Sequence, residues 1–225
     1  MQKLMNNRKE MKNMNIALIW DFDGTIVDSY PIILRALLKS FEGYNLDYTE
    51  EEIYAFIKRV SVEAFFLKIS SEIGIEISTI RKTFQENVNK DNHDYKLITH
   101  AKEILDFLKD KKTHNFIFTH SGKKAIDILT DLGIKDYFEE VITKEMGFPR
   151  KPDRKAIDYL VDKYSLDRKN TYYIGDRELD IDCAKNSEIL SILLSDDLHD
   201  IGETYRIKDL LDIKDIVKSI DGGIK

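Results

Sequence analysis

Cysteine is nearly absent from these 225 residues: Cys183 stands alone. A lone thiol cannot close an intrachain disulfide, and no Cys and His set resembles a zinc site. Three prolines and ten glycines leave little room for long flexible linkers. Positive charge is not in excess: 35 Lys+Arg against 41 Asp+Glu give −6, the opposite of the basic balance of a nucleic-acid binder. Long hydrophobic runs are missing too. Ile16–Trp20 and Ile189–Leu194, the latter interrupted by Ser191, fall far short of the about 20 apolar residues that span a bilayer. Met1 to Asn15 carries Lys3, Arg8, Lys9 and Lys12 but no apolar signal-peptide core. Residues 1–14 are expected to be a disordered leader, with Met11 and Met14 as alternative starts. These absences lead to the expectation of a cytoplasmic globular protein with no nucleic-acid or membrane partner; a monomer or homodimer is expected, though nothing in the sequence fixes which.

What is there is material for a core: 42% hydrophobic residues, with 11 Phe, 11 Tyr and one Trp. Short apolar runs recur at Ile16–Trp20, Phe116–Phe118, Val141–Ile142, Tyr172–Ile174 and Ile189–Leu194. Runs this short and continuous suit strands of a parallel sheet buried on both faces. Between them apolar residues fall at helical spacing, as in Ala101/Ile104/Leu105/Leu108, Ala125/Ile128/Leu129/Leu132 and Ile213/Ile216/Val217/Ile220. Strand and helix in alternation predict an α/β fold with a doubly wound parallel sheet.

Residues 30–94 break the rhythm with no convincing strand. Pro31 suits a first helical turn ahead of Ile33, Leu34, Leu37, Leu38 and Phe41. Thr49 and Glu52 read as a capping box before Ile53, Phe56, Ile57 and Val60. Two further stripes follow, Val62/Phe65/Phe66/Ile69/Ile73 and Ile80/Phe84/Val88. The expectation is an inserted all-helical cap over 30–94, set into a core of 15–29 and 95–225. Helices packed onto the sheet like the others are the alternative.

Chemistry gathers at the strand ends, where ligands of doubly wound sheets bind. Asp21-Phe22-Asp23-Gly24-Thr25 follows the first run, with two carboxylates close enough to address one centre and a glycine that lets the chain turn. Taken alone this is no more than a βα loop. Tyr172-Tyr173-Ile174-Gly175-Asp176-Arg177-Glu178-Leu179-Asp180 repeats the pattern, and two acidic strand ends can converge on one hard cation. Phe116–Phe118 ends in Thr119, and Lys151-Pro152 follows the third run.

In this order the four segments resemble the haloacid dehalogenase-like superfamily of phosphatases and phosphotransferases, over about residues 16 to 220. Its phosphoglycolate phosphatase and beta-phosphoglucomutase branch, with an alpha-helical cap, is the nearest in pattern. The resemblance implies that Asp21 is a nucleophile forming an aspartyl-phosphate and Asp23 a general acid, then base. It implies Thr119 and Lys151 on the phosphoryl oxygens, and phosphate contacts from Gly24 and Thr25. Mg²⁺ would be held by Asp21, the main-chain carbonyl of Asp23 and Asp176, with Asp180 in or just behind that set. Asp23 disfavours a dehalogenase, which lacks an acid there. The implied partner is a small phosphorylated metabolite; a sugar-phosphate mutase, or a member that only binds a phospho-ligand or protein, is the alternative. His120 stands where relatives often have Asn, with a substrate-facing or supporting role as open as a solvated one. Asp153 stands where a second Pro is usual, and Glu188 where Gly often lies. Arg177 matches nothing in the pattern. Lys58 and Arg59 sit where relatives carry a specificity loop, as substrate contacts or as surface charge; Arg35 and Lys39 stand the same way.

Overall fold

A computed structural model describes residues 16–44, 46–90 and 94–221. The expected leader, 1–14, lies outside the described residues. Six strands form one sheet: β1 (Ala17–Trp20), β4 (His114–Phe118), β5 (Glu140–Ile142), β6 (Thr171–Gly175), β7 (Leu190–Leu194) and β8 (Tyr205–Ile207). Their order is β5-β4-β1-β6-β7-β8, and every neighbouring pair is parallel. The expected runs all lie on this sheet. β8 is an addition, a three-residue edge strand too short to show a period.

Alternation along β1 explains the two layers, since successive side chains point to opposite faces. Leu18 and Trp20 join Ile117, Ile174 and Ile192 on one face, under α5 (Ala101–Asp110), α6 (Lys124–Asp131) and α9 (Ile213–Asp221). Ala17 and Ile19 join Phe116, Phe118 and Tyr173 on the other, under α7 (Lys155–Tyr164) and α8 (Glu178–Asn186). β1 is thus buried on both sides, and its carboxyl end opens between β4 and β6.

The helices of the break are α1 (Tyr30–Ser40), α2 (Glu50–Arg59), α3 (Val62–Ile73) and α4 (Ile77–Lys90). Pro31 lies in the first turn of α1, and Thr49 and Glu52 form the reciprocal capping box of α2. Leu37, Ile53, Ile57, Phe65, Phe66, Ile69 and Ile80 pack into an apolar cluster that shares no residue with either face of the sheet. The chain leaves and re-enters the sheet region through a two-residue antiparallel pairing of β2 (Val27–Asp28) with β3 (Lys96–Leu97). That pairing places the start of α1 beside the loop after β1.

Glu188, in the position of an expected glycine, takes φ 55, so the left-handed turn into β7 is kept and its side chain pairs with Arg154. Cys183 is fully buried and its thiol is pushed up to about 12, chiefly by that burial, which makes it a packing residue.

Trp20 anchors the central strand. Its indole N–H donates to Asn115 Oδ1 at 3.1 Å, with both side chains buried. Asn115→Ala strands that donor and is expected to cost about 1–3 kcal/mol. Trp20 is the only tryptophan, so its fluorescence through a urea titration reads the loss. An unchanged midpoint would show that the bond does not support the core.

Candidate active site

Asp21 follows β1 directly, and its N–H donates to the Ile174 carbonyl at 2.8 Å, which ties it to the neighbouring strand end. Asp176 lies one residue beyond that strand, and Asp180 lies in the first turn of α8. One carboxylate oxygen from each of Asp21, Asp176 and Asp180 falls within 4.8 Å of the others, and all three residues are buried. Two glycines permit this convergence. A Cβ on Gly175 would lie 2.3 Å from Asp180, and one on Gly24, whose φ is +78°, would lie 2.6 Å from Asp176 Oδ2.

Lys151 binds the cluster together. Its side chain has no exposed surface, and Nζ donates to Asp21 Oδ1 at 2.5 Å and to Asp180 Oδ1 at 2.8 Å. The ammonium also lies 5.3 Å from the Phe118 ring centre and 5.1 Å from that of Tyr173. Burial disfavours this charge, yet Asp180 and Asp21 outweigh it and hold Lys151 above its usual range. Burial likewise works against ionised Asp21, but Lys151 and Arg177 hold it below the usual carboxylate range.

Asp23 has the opposite tendency. Burial first, and the Asp21 charge second, raise its pKa. Its oxygens accept from Ser29 Oγ at 2.6 Å and Ser121 Oγ at 2.8 Å, which fixes the carboxyl at the cavity wall. Two acids two residues apart are therefore pushed in opposite directions, one toward the anion and one toward the proton.

Asp176 is raised to about 7, by burial and then by Asp21 and Asp180. Its Oδ2 accepts from the Tyr30 hydroxyl at 3.2 Å, while Asp176 Oδ1 and Asp21 Oδ2 are buried and have no hydrogen-bond partner among the described residues. Unsatisfied buried carboxylate oxygens are costly and suit a hard cation. Asp21 and Asp176 can thus hold a metal ion. Asp180 has Oδ1 on Lys151 and Oδ2 accepting the Arg177 N–H at 3.3 Å, which leaves it the weaker ligand.

The remaining predicted residues fall unevenly. Thr119 is buried at the end of β4, its hydroxyl accepting the Ser121 N–H at 2.9 Å. His120 lines the cavity, and its Nε2 accepts the Lys151 N–H at 2.8 Å. Burial, then Lys151 and Arg150, push it down to about 3, so it is neutral and braces the Lys151 main chain. The Gly24 N–H donates to the Val27 carbonyl at 2.8 Å and is therefore not offered to a phosphate in this arrangement. Thr25 is buried, and its hydroxyl has no hydrogen-bond partner among the described residues. Lys58 and Arg59 are exposed at the end of α2, and neither is among the residues that line the cavity. Lys58 Nζ stands 6.0 Å from the Tyr30 ring centre and is one of the charges felt by Asp176.

The cavity, of about 350 Å³, lies between the strand ends and the four helices. Its cations are Arg81, Lys124, Lys144, Arg150 and Arg177, none of which carried a role in the motif pattern. Ser29, Ser121 and Tyr30 are also functional neighbours that sequence reasoning missed. Ser29 and Tyr30 sit within ten residues of Asp21, but nothing in their type marks them.

The fold and this constellation define a class, and comparison with known proteins agrees. A model of the haloacid dehalogenase-like hydrolases matches residues 18–194, and the chain belongs to that family. It is 23% identical over 208 residues to the pyrophosphatase PpaX of Oceanobacillus iheyensis, covering 89% of this chain and 96% of the relative. It is 26% identical over 198 residues to the phosphoglycolate phosphatase of Vibrio vulnificus, covering 82% and 86%. The crystal structure of a predicted phosphoglycolate phosphatase from Haemophilus somnus superposes with a TM-score of 0.78 at 20% identity, over 92% of this chain and all of that one.

The raised Asp176 makes a prediction about stability. A carboxyl whose folded pKa lies above its ordinary 3.8 resists ionisation, so its contribution falls as pH rises from about 4 to 7. Ionising it in the folded protein costs on the order of 4 kcal/mol, at about 1.4 kcal/mol per pH unit. With a chelator at pH 8, Asp176→Asn is expected to melt above the wild type. The advantage should fade at pH 5, and it should reverse when Mg²⁺ stabilises only the wild type. Equal melting under all three conditions would show that Asp176 carries neither the strain nor the metal.

Proposed function

We propose that this chain is a Mg²⁺-dependent phosphatase of small phosphorylated metabolites that forms an aspartyl-phosphate on Asp21. The observation that carries this reading is the contrast between Asp21, kept anionic beside Lys151, and Asp23, whose proton is favoured two residues away. A nucleophile and a general acid need those two states at one pH.

An oxygen of Asp21 attacks phosphorus while the bond from phosphorus to the ester oxygen breaks. Asp23 gives its proton to that departing oxygen, in the orientation set by Ser29 and Ser121. The Asp23 carboxylate then takes a proton from water, whose oxygen attacks phosphorus as the bond from phosphorus to the Asp21 oxygen breaks, which releases phosphate and restores the Asp21 carboxylate. Lys151 neutralises the nucleophile and the phosphoryl oxygens, and Thr119 adds a hydroxyl donor. Mg²⁺, held by Asp21, Asp176 and the main-chain carbonyl of Asp23 with Asp180 beside them, would supply the positive charge that offsets repulsion between carboxylate and phosphate.

Residues 30–94 act in this reading as a cap on a core of 15–29 and 95–225, and the protein works in the cytoplasm as a monomer or homodimer. The cap's cavity face and the strand-end loops select the substrate. The relatives' names point to pyrophosphate and phosphoglycolate, whose cleavage expels phosphate or glycolate, and Arg150 and Lys144 on the cavity wall suit such an anionic leaving group.

The test is phosphate release from pyrophosphate, phosphoglycolate, sugar phosphates and nucleoside monophosphates, with Mg²⁺ and with chelator. Asp21→Asn should lose on the order of 10³-fold or more of the metal-dependent rate. Asp23→Asn should lose about 10²–10⁴-fold on alkyl esters and less on esters whose leaving group needs no proton. Wild-type turnover in Asp21→Asn would sink the mechanism. Conversion of a hexose 1-phosphate to its 6-phosphate without net release would make the protein a mutase.

A further inference from the structure

Two cations meet the buried carboxylates, and they hold them differently. Lys151 makes hydrogen bonds of 2.5 and 2.8 Å to Asp21 Oδ1 and Asp180 Oδ1. Arg177 stands off: its Nη2 is 3.6 Å from Asp21 Oδ2 and its Nε 3.8 Å from Asp176 Oδ1. These are charge contacts, beyond the 2.7–3.2 Å of a hydrogen bond. Among the described residues, neither the Nε nor either of the two oxygens that the guanidinium faces has a hydrogen-bond partner, and all three atoms are buried. Those oxygens are the two left over after Lys151 and Tyr30 take theirs. They are therefore the pair that a divalent cation would take. The guanidinium is only 15% exposed, yet it lines the cavity, so it has somewhere to go.

We propose that Arg177 is a built-in competitor for the divalent cation at Asp21 and Asp176, and so sets the metal concentration at which the site fills. The inference rests on the metal reading above, and adds to it a residue the shared motifs leave without a role. One guanidinium and one metal ion cannot both sit against the same two oxygens, because like charges at that separation repel strongly in a buried site. Cation binding moves Arg177 into the cavity, on the side where the phosphoryl group is read to bind. When the cation is scarce, Arg177 stays against the carboxylates and limits their mutual repulsion. Its loose grip suits this exchange, where a bidentate hydrogen-bonded arginine would hold. The cost of weaker metal binding is offset by a cluster that remains folded without metal.

The experiment measures Mg²⁺ binding itself, by calorimetry on the full chain without substrate, for wild type, Arg177→Ser and Arg177→Lys. Arg177→Ser, prepared with Mg²⁺ and then dialysed, is expected to bind Mg²⁺ at least tenfold more tightly than wild type. It should also melt at a lower temperature in chelator, with the gap closed by Mg²⁺. Arg177→Lys, which keeps a charge and loses the reach to both oxygens, should fall between the two in affinity. If Arg177→Ser does not survive dialysis, the Lys variant decides: tighter binding than wild type supports the exchange, and equal or weaker binding overturns it. Equal or weaker Mg²⁺ binding by folded Arg177→Ser overturns it likewise and leaves the metal reading standing. Binding by neither wild type nor variant overturns both.

Discussion

The structure at the strand ends depends on one ammonium group. Asp21, Asp23, Asp176 and Asp180 bring four carboxyl groups to one place, three of them buried, and Lys151 joins the nucleophile candidate to the helix that carries Asp180. A unit charge pair 4 Å apart is worth about 4 kcal/mol at an effective dielectric near 20. Repulsion among the acids is of the same order as the protein's whole margin of stability, about 5–15 kcal/mol. Without a fixed cation the cluster could not be kept in the geometry that makes it useful. A buried pair of this kind is not a net source of stability, since desolvation consumes most of what the attraction provides. Its product is position, and position here also sets protonation. The same lysine that keeps Asp21 ionised makes no contact with Asp23, where burial and then the Asp21 charge favour the proton.

The sheet makes that arrangement inexpensive in chain terms. Asp21 and Asp176 are 155 positions apart in sequence, yet β1 and β6 are hydrogen-bonded neighbours with Trp20 beside Ile174. Lys151 enters from the loop between β5 and α7, and α8 holds that loop in place. Asn186 donates to the Pro152 carbonyl at 2.9 Å, and the Cys183 thiol packs under the Asp153 carbonyl. His120 completes the support by accepting the Lys151 N–H as a neutral ring. Charge on that histidine would set a second cation beside the ammonium, which is why burial and Lys151 together keep the proton off it.

Much of this was legible in the amino-acid order, because the informative residues are of types that seldom occur together by accident. Acids at the ends of two apolar runs, a threonine at a third and a lysine before proline identify the strand ends. The apolar runs at Ile16, Phe116, Tyr172 and Ile189 identify a sheet buried on both faces. Other features left no trace. β2, β3 and β8 are two or three residues long, below any period. Ser29, Ser121 and Tyr30 act through single hydroxyls that look like any loop or helix residue until the tertiary contacts form. The sequence points to Lys58 and Arg59 on α2, whereas the cavity collects Arg81 from α4, Lys144 from a 3-10 turn just past β5 and Arg150 from the loop that follows. Which face of a helix looks into a cleft depends on how one bundle sits over another sheet, and no short-range pattern encodes that.

Arg177 stands between these two cases. It is visible in the sequence, in the middle of the most informative segment, but shared motifs give meaning only to what they share and leave it without a role. The physical setting gives it one. Its neighbours in sequence, Asp176 and Asp180, are held by Tyr30, by Lys151 and by Arg177's own main-chain N–H. The guanidinium therefore rests against carboxylates whose positions it does not determine. A side chain that fixes nothing and neutralises much can be exchanged for another cation without the fold being rearranged. The rigid half of the site, built on strand ends and Lys151, and its exchangeable half, built on one arginine at the head of α8, thus follow from a single difference: whether a cation reaches its carboxylates by hydrogen bonds or only by charge.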